Sequence, residues 1–173
     1  MKVGIIADTH DNLLAISKAV EIFNDESIEL LIHAGDFVAP FTSQSFKELK
    51  APMIGVFGNN DGDKLLLKAL YKENGVGELH EDPYEFEFSA KKIIVTHKPL
   101  IVEPLAASGR YNVVVYGHTH KAVIERYSNR NDGAGGEEKT WIINPGECCG
   151  YLTGRKTVAL LDLEKEEAKL MEL

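Results

Sequence analysis

Cysteine is nearly missing from this chain: two thiols occur in 173 residues, and they are neighbours, Cys148 and Cys149. Adjacent cysteines close no useful loop, which excludes a disulfide framework. Their spacing is also wrong for a zinc-binding pair, so both are expected to be small buried core thiols. Long apolar runs are missing too. The longest are strand-sized, which excludes a membrane-spanning helix. The opening MKVGIIADTH reaches an aspartate at position 8 before any apolar run could serve as a signal peptide. A cytoplasmic location without membrane association is expected. Positive charge is scarce: 19 Lys and Arg against 27 Asp and Glu leave a net charge of −8. Such a surface is poorly suited to wrapping nucleic acid, and no stable nucleic-acid complex is expected. Bound metal ions can still create a local positive site on an acidic protein. No internal repeat occurs. The glycines at 133–136 follow no strand-to-helix pattern and lack Gly-Lys-Ser/Thr, so they do not read as a phosphate loop.

What is present is an ordinary globular composition, 44% apolar and 27% charged. The length suits one core, so residues 1–173 are read as a single domain. A strand is expected at 2–7, a helix capped by Asp11 or Asn12 and running to about Asp25, a strand at 29–33, a helix at 41–49, a strand at 52–56 and a helix at 63–73. This alternation implies a parallel sheet with right-handed crossovers. The second half changes character. Strands are expected at 84–88, 92–96, 112–116, 122–127, 140–143, 157–162 and 167–172, with one helix at 101–109. The alternating YEFEF before Ser89-Ala90 reads as an antiparallel hairpin, as does the last pair joined through Glu164-Lys165. The polar stretch 129–138 reads as a mobile hairpin loop, because strands flank it. Two sheets packed face to face with helices outside fit this pattern best.

The chemistry lies in where certain residues fall. Asp8, Asp36 and Asn59 each lie just past the C-terminal end of an expected parallel strand. Such ends share one edge of an open α/β sheet, where ligands usually bind. His97 follows IIVT, and His118 follows VVVY through Gly117. His10 and His120 sit two residues beyond a first candidate; in an extended segment that spacing puts both side chains on one side. These seven oxygen and imidazole donors, free of thiolate, suit two divalent cations. A metal pair about 3.5–4 Å apart can clamp a phosphoryl group and lower the pKa of a water to about 7. Two dications against Asp8, Asp36 and a hydroxide leave a net charge of about +1. The neutrality of Asn59 and the four histidines preserves that excess.

D-x-H at 8–10, G-D at 35–36, G-N at 58–59, His97 and G-H-x-H at 117–120, in that order, resemble the calcineurin-like metallophosphoesterase superfamily. Within it, the chain is similar to small prokaryotic phosphodiesterases without a cap domain; Asn144-Pro145-Gly146 also resembles a motif of that group. The resemblance implies an α/β fold: a four-layer α/β/β/α sandwich of two mixed β-sheets flanked by helices. It implies one metal on Asp8, His10, Asp36 and His120, and another on Asp36, Asn59, His97 and His118, with Asp36 shared. A hydroxide bridging the two would attack phosphorus in line. Asp36, Asn59, Asn60 and His97 are thus the catalytic candidates. Manganese is the favoured ion, with nickel, iron, zinc and magnesium open, and the expected partner is a small-molecule phosphodiester. Phosphomonoester hydrolysis is the alternative within the enzymes. A binding scaffold like a fold-related retromer subunit is the alternative outside them. Self-association is left open.

Two positions depart from the superfamily pattern. Asn60 stands where many members carry a histidine thought to protonate the leaving group, and an amide delivers no proton at neutral pH. Lys98 follows His97 where glycine is common; it is expected to be exposed. Asp61 is expected to orient its loop, His33 to be packed or to support a ligand residue, and His80 to be exposed. Taken singly, the candidates have plain readings: Asp8 or Asp11 as helix caps, Asp36 and Asn59 as turn residues, His97 as a core histidine. All of these holding at once, at ordered strand ends, is an improbable coincidence.

Overall fold

The computed structural model describes residues 1–129 and 138–173. Within the expected loop at 129–138, positions 130–137 lie outside the described residues, and so do the glycines at 133–136. The chain runs β1 (Lys2–Ile6), α1 (Leu13–Asp25), β2 (Leu30–His33), a 3-10 helix (Pro40–Phe46), β3 (Met53–Val56), α2 (Lys64–Glu73) and β4 (Gly77–His80). It continues through β5 (Tyr84–Phe88), β6 (Lys91–Thr96), a 3-10 turn (Pro99–Ile101), α3 (Val102–Ala107), β7 (Val113–Tyr116), β8 (Val123–Asn129), β9 (Glu138–Asn144), β10 (Thr157–Asp162) and β11 (Glu167–Glu172). Among the described residues, no helix is long and apolar enough to cross a membrane.

The strands form two mixed sheets, ordered β11-β10-β1-β2-β3-β4 and β5-β6-β7-β9-β8. β1 to β4 are parallel, and β10 and β11 add antiparallel to β1. In the second sheet β6, β7 and β9 are parallel, with β5 and β8 antiparallel at the edges. The period-2 pattern of the strands assigns the layers. Val3 and Ile5 of β1 join Ile32, Ile93, Val95, Val113, Val115 and Ile143 between the sheets. Ile6 and Leu31 point to the other face, against Ile16, Val20 and Phe23 of α1 and Leu67 and Tyr71 of α2. Ile94 and Val114 turn outward to meet Val102 and Ala106 of α3. The result is the expected α/β/β/α sandwich.

Local signals account for most element ends. Asn12 caps α1, its side chain accepting from the Ala15 N–H (3.2 Å), and Asp63 caps α2 through the Leu66 N–H (2.9 Å). Ser89 and Ala90 both adopt positive φ (52° and 57°), which makes the two-residue turn that β5 and β6 need. Four features differ from expectation. The helix expected at 41–49 is a 3-10 helix over Pro40–Phe46, and α3 is shorter than 101–109. β4 was not anticipated. It is an edge strand in which Leu79 alone is buried, so it carries little periodicity, and it exists because β3 offers it a free edge. His80 lies in that strand, half-buried and stacked on the Tyr84 ring with centroids 3.5 Å apart, and is not free in solvent.

Phe23 is fully buried between α1 and the first sheet, whereas Leu14 of the same helix is 84% exposed. Replacing Phe23 by Ala is expected to cost about 3–5 kcal/mol, from lost burial plus the cavity left behind. Leu14→Ala is expected to stay within about 0.5 kcal/mol. Urea unfolding midpoints of the two variants check the difference.

Candidate metal centre

The parallel strands β1, β2 and β3 are neighbours, as are β6 and β7, and the two groups face each other across the inter-sheet core. Their C-terminal ends therefore open on one rim, and the loops leaving them carry all seven candidate donors. Asp8 and Asp36 are buried, as is His97; His10 and His120 are half-buried; Asn59 and His118 are exposed. The cluster thus has a buried floor and an open face.

The expected route to this arrangement was extended chain at D-x-H and H-x-H. The structure corrects it. Asp8 (φ 51°), His10 (39°), Asp36 (61°), His118 (67°) and His120 (59°) all adopt left-handed backbone. Such residues cost of order 1–3 kcal/mol each and persist only where their surroundings over-determine them. Tight turns, not strands, bring i and i+2 to one side. Backbone bonds fix the turns: Asp8 N–H donates to the Gly35 carbonyl (3.0 Å), and Thr9 and His10 both donate to the Asp36 carbonyl (3.1 Å each). Gly58 has to be glycine for a related reason, since a Cβ there would lie 2.1 Å from Asp36 Oδ1 and 2.5 Å from its backbone nitrogen.

Two half-sites meet at Asp36. In one, His10 Nε2 lies 3.5 Å from Asp36 Oδ2 and 3.9 Å from Asp8 Oδ1, and His120 Nε2 lies 3.4 Å from Asp8 Oδ1. In the other, His97 Nε2 lies 3.4 Å from Asp36 Oδ2, 3.0 Å from Asn59 Oδ1 and 3.3 Å from His118 Nδ1. His97 Nδ1–H donates to the Ala34 carbonyl (2.8 Å), which leaves Nε2 with a lone pair in the neutral ring. Lone pairs of carboxylate, amide and imidazole therefore face one another. Asp8 Oδ1 and His10 Nε2 are buried with no hydrogen-bond partner among the described residues. Unpaired buried acceptors are costly. Donors about 2.1 Å from a common cation in a tetrahedral shell would lie roughly 3.4 Å apart, which matches these separations. The donor set fits divalent cations, and Asp8-His10-His120 and Asp8-Asp36-His97 are both groups that could hold one.

The electrostatics follow from the same crowding. Burial raises the Asp8 carboxyl to about 7, opposed by the nearby His120 and His97. Burial pushes Asp36 the same way, but the His97 ring beside it, which would donate from Nε2 when protonated, and the two bonds from Asn60 outweigh it and hold Asp36 well below the usual carboxylate range. Burial disfavours charge on His97, yet the bond to Asp36 raises its pKa overall. Burial lowers His10 and His118, and Lys98 adds repulsion at His118. Lys98 is exposed as expected, and near enough to be felt at the open face.

The supporting residues divide into anticipated and missed. Asp61 ties the loops together: Oδ2 accepts from the Gly58 N–H (2.6 Å) and the Asp36 N–H (3.3 Å), and Oδ1 from the Val38 N–H (2.8 Å). Asn60 donates to Asp36 through both its backbone (2.8 Å) and its side-chain amide (2.7 Å). His33 is fully buried; its ring meets Thr9 Oγ1 (3.2 Å) and the Gly35 N–H (3.2 Å) and stacks on Phe37, so it packs the loops that carry Asp8, His10 and Asp36. Cys148 and Cys149 are free buried thiols, as expected. Two residues were missed. Asp82 accepts the His97 N–H (3.0 Å). Glu147 is fully buried and lies 2.7 Å from His120 Nδ1. Its only sequence signal is a carboxylate placed between Asn-Pro-Gly and two core cysteines. Burial would raise Glu147, but bonds from His120 and Thr153 bring it down to about 2.

Residues 1–166 match the calcineurin-like phosphoesterase superfamily domain. The chain is 44% identical over 169 residues to phosphodiesterase MJ0936 of Methanocaldococcus jannaschii, covering 96% of each protein. It superposes on the structure of an archaeal phosphodiesterase with a TM-score of 0.89 and 43% identity, over 100% of both chains. The Escherichia coli phosphoesterase Yfce (TM-score 0.67, 18% identity, 99% and 98% coverage) and Vps29 of Chaetomium thermophilum (0.64, 14%, 100% and 96%) share the fold.

Gly58→Ala is expected to displace Asp36 from the junction of the half-sites while the rest of the core stays packed. Metal content after manganese loading and desalting, measured by elemental analysis, should fall well below the wild-type value, with the far-ultraviolet circular dichroism unchanged.

Proposed function

Because the chain belongs to the calcineurin-like phosphoesterase superfamily, we propose that it is a metal-dependent phosphodiesterase acting on a small phosphodiester. The observation that carries this reading is the set of facing, partly unpartnered lone pairs around Asp36. Asp8, His10, Asp36 and His120 would hold one divalent cation, and Asp36, Asn59, His97 and His118 the other. Manganese suits the mixed carboxylate, amide and imidazole set, as do iron, nickel, zinc and magnesium. The cations supply Lewis acidity at phosphorus and a nucleophilic water at neutral pH.

The protein's own groups divide the remaining work. Asn60 donates to both Asp36 oxygens, its backbone N–H to Oδ1 and its side-chain amide to Oδ2, so the plane of the carboxylate is set before a substrate arrives. The Ala34 carbonyl and Glu147 hold protons on the Nδ1 atoms of His97 and His120, which turns both Nε2 lone pairs inward. Exposed Asn59, Asn60 and His118 form the face on which a phosphate would sit, with Lys98 beside it. A dianionic monoester calls for more positive side chains than this. Arg110, the other basic candidate in the sequence, pairs with Glu85 (3.9 Å) and lies over the Tyr111 ring, next to the start of β7. That position favours diesters.

Manganese added to metal-free protein is expected to switch on hydrolysis of bis(p-nitrophenyl) phosphate, with p-nitrophenyl phosphate cleaved more slowly. A dead enzyme with every divalent ion tried would refute the proposal, and faster monoester cleavage would reassign the substrate class. Asp36→Ala is expected to lose more activity than the roughly 10–100-fold typical of removing a ligand's outer partner.

With an amide at position 60, the chain offers no imidazole acid there. The rate is expected to depend steeply on leaving-group pKa, aryl diesters far outpacing alkyl ones. Equal rates across a leaving-group series would show that another group delivers the proton.

A further inference from the structure

Glu147 stands on the loop between β9 and β10 and is fully buried. Its Oε2 faces His120 Nδ1 (2.7 Å) and accepts from Cys149 Sγ (3.2 Å). Its Oε1 accepts from the Leu152 N–H (3.0 Å), the Thr153 N–H and Thr153 Oγ1 (2.7 Å). Backbone N–H groups can only donate. A carboxylate surrounded by this many donors has its lone pairs filled and no room for a proton. The hydrogen between Glu147 and His120 therefore sits on His120 Nδ1. His120 Nε2 is left as a lone pair, 3.4 Å from the Asp8 oxygen that lacks a partner.

Among the described residues, no carboxylate meets a ring nitrogen behind the other half-site. His97 is oriented by a neutral carbonyl, that of Ala34 (2.8 Å), and His118 Nδ1 faces His97 Nε2 (3.3 Å). One half-site thus carries a carboxylate directly on a ring nitrogen of its imidazole, whereas the ring of His97 meets a peptide carbonyl and the carboxylate nearest it, Asp82, meets only its backbone N–H (3.0 Å). A carboxylate behind a ligating imidazole raises its basicity and fixes its ring, and its loss typically costs about 10–100-fold in metal affinity.

The geometry points to Glu147 as a positioning residue that makes the Asp8–His10–Asp36–His120 half the tighter of two unequal cation sites. This inference rests on the two-metal reading above, and it concerns the order and affinity of loading, not the reaction.

Calorimetric titration of metal-free protein with Mn²⁺ tests it. The wild type is expected to show two sites of unequal affinity. Glu147→Gln keeps the size and removes the charge; it is expected to weaken the tighter site by about 10–100-fold and leave the weaker one unchanged. Thr153→Val removes a different contact to the same carboxylate and is expected to leave both affinities as they are. Equal wild-type sites would overturn the inference, as would a folded Glu147→Gln protein with unchanged affinities, or an equal loss in Thr153→Val, which would make Glu147 a loop anchor only. Should Glu147→Gln fail to fold, nitrogen-15 NMR of the metal-free wild type at mildly alkaline pH decides: His120 protonated on Nδ1 supports the role, and protonated on Nε2 overturns it. Two manganese ions bound without diester cleavage would sink the proposed function and leave this inference standing; diester cleavage with Glu147→Gln binding both ions as the wild type does would do the reverse.

Discussion

The confrontation of lone pairs around Asp36 governs this structure. Carboxylate oxygens of Asp8 and Asp36 and ring nitrogens of His10, His97 and His120 approach to between 3.4 and 3.9 Å, and Asp8 Oδ1 and His10 Nε2 have no hydrogen-bond partner among the described residues. In a buried setting such an arrangement is repulsive and poorly solvated. The raised carboxyl of Asp8 and the raised imidazole of His97 are two signs of it, each drawing a proton where a cation would otherwise serve. The fold must hold the donors there against this repulsion.

It does so with backbone. Five of the donors sit in left-handed conformations, and the turns that impose them are stitched across the strand ends by peptide hydrogen bonds and by Asp61. Each sheet face behind the turns is closed by a packed apolar layer, so the rim cannot relax by sliding a strand. Strain at the rim and close packing beneath it are two parts of one device. The same device explains why glycines precede Asp36, Asn59 and His118 in the sequence: at Gly35 and Gly58, a side chain would strike His97 or Asp36.

Supports behind the donors are unequal. Neutral carbonyl oxygen orients His97, and a saturated carboxylate orients His120. Under the proposed two-cation reading, such a site would have a fixed electrostatic polarity although its two sets of lone pairs look alike. The open face, with Asn59, Asn60 and His118 exposed and Lys98 nearby, lies above that polarised floor.

The residue types, their order and the glycines beside them are local facts, and they made the superfamily, the α/β alternation and the seven donors legible before any coordinates. Continuous apolar runs identified β1, β6 and β7 because both faces of those strands are buried. Polar edge strand β4 escaped, since its pairing with β3 leaves almost no trace in GELH. The backbone path at D-x-H and H-x-H was misread for a similar reason: two-residue spacing fits a strand and a left-handed turn equally well, and only the loops packed against it choose. Strand order was equally hidden, because the insertion of β10 between β1 and β11, and of β9 beside β7, rests on pairings between distant segments. Glu147 shows the limit most clearly. By itself the sequence determined which side chains could bind metal; tertiary structure alone decided which of them meet, at what separation, and that a carboxylate 27 positions from His120 stands behind its ring, because contact in space is set by sheet register and packing and not by proximity along the chain.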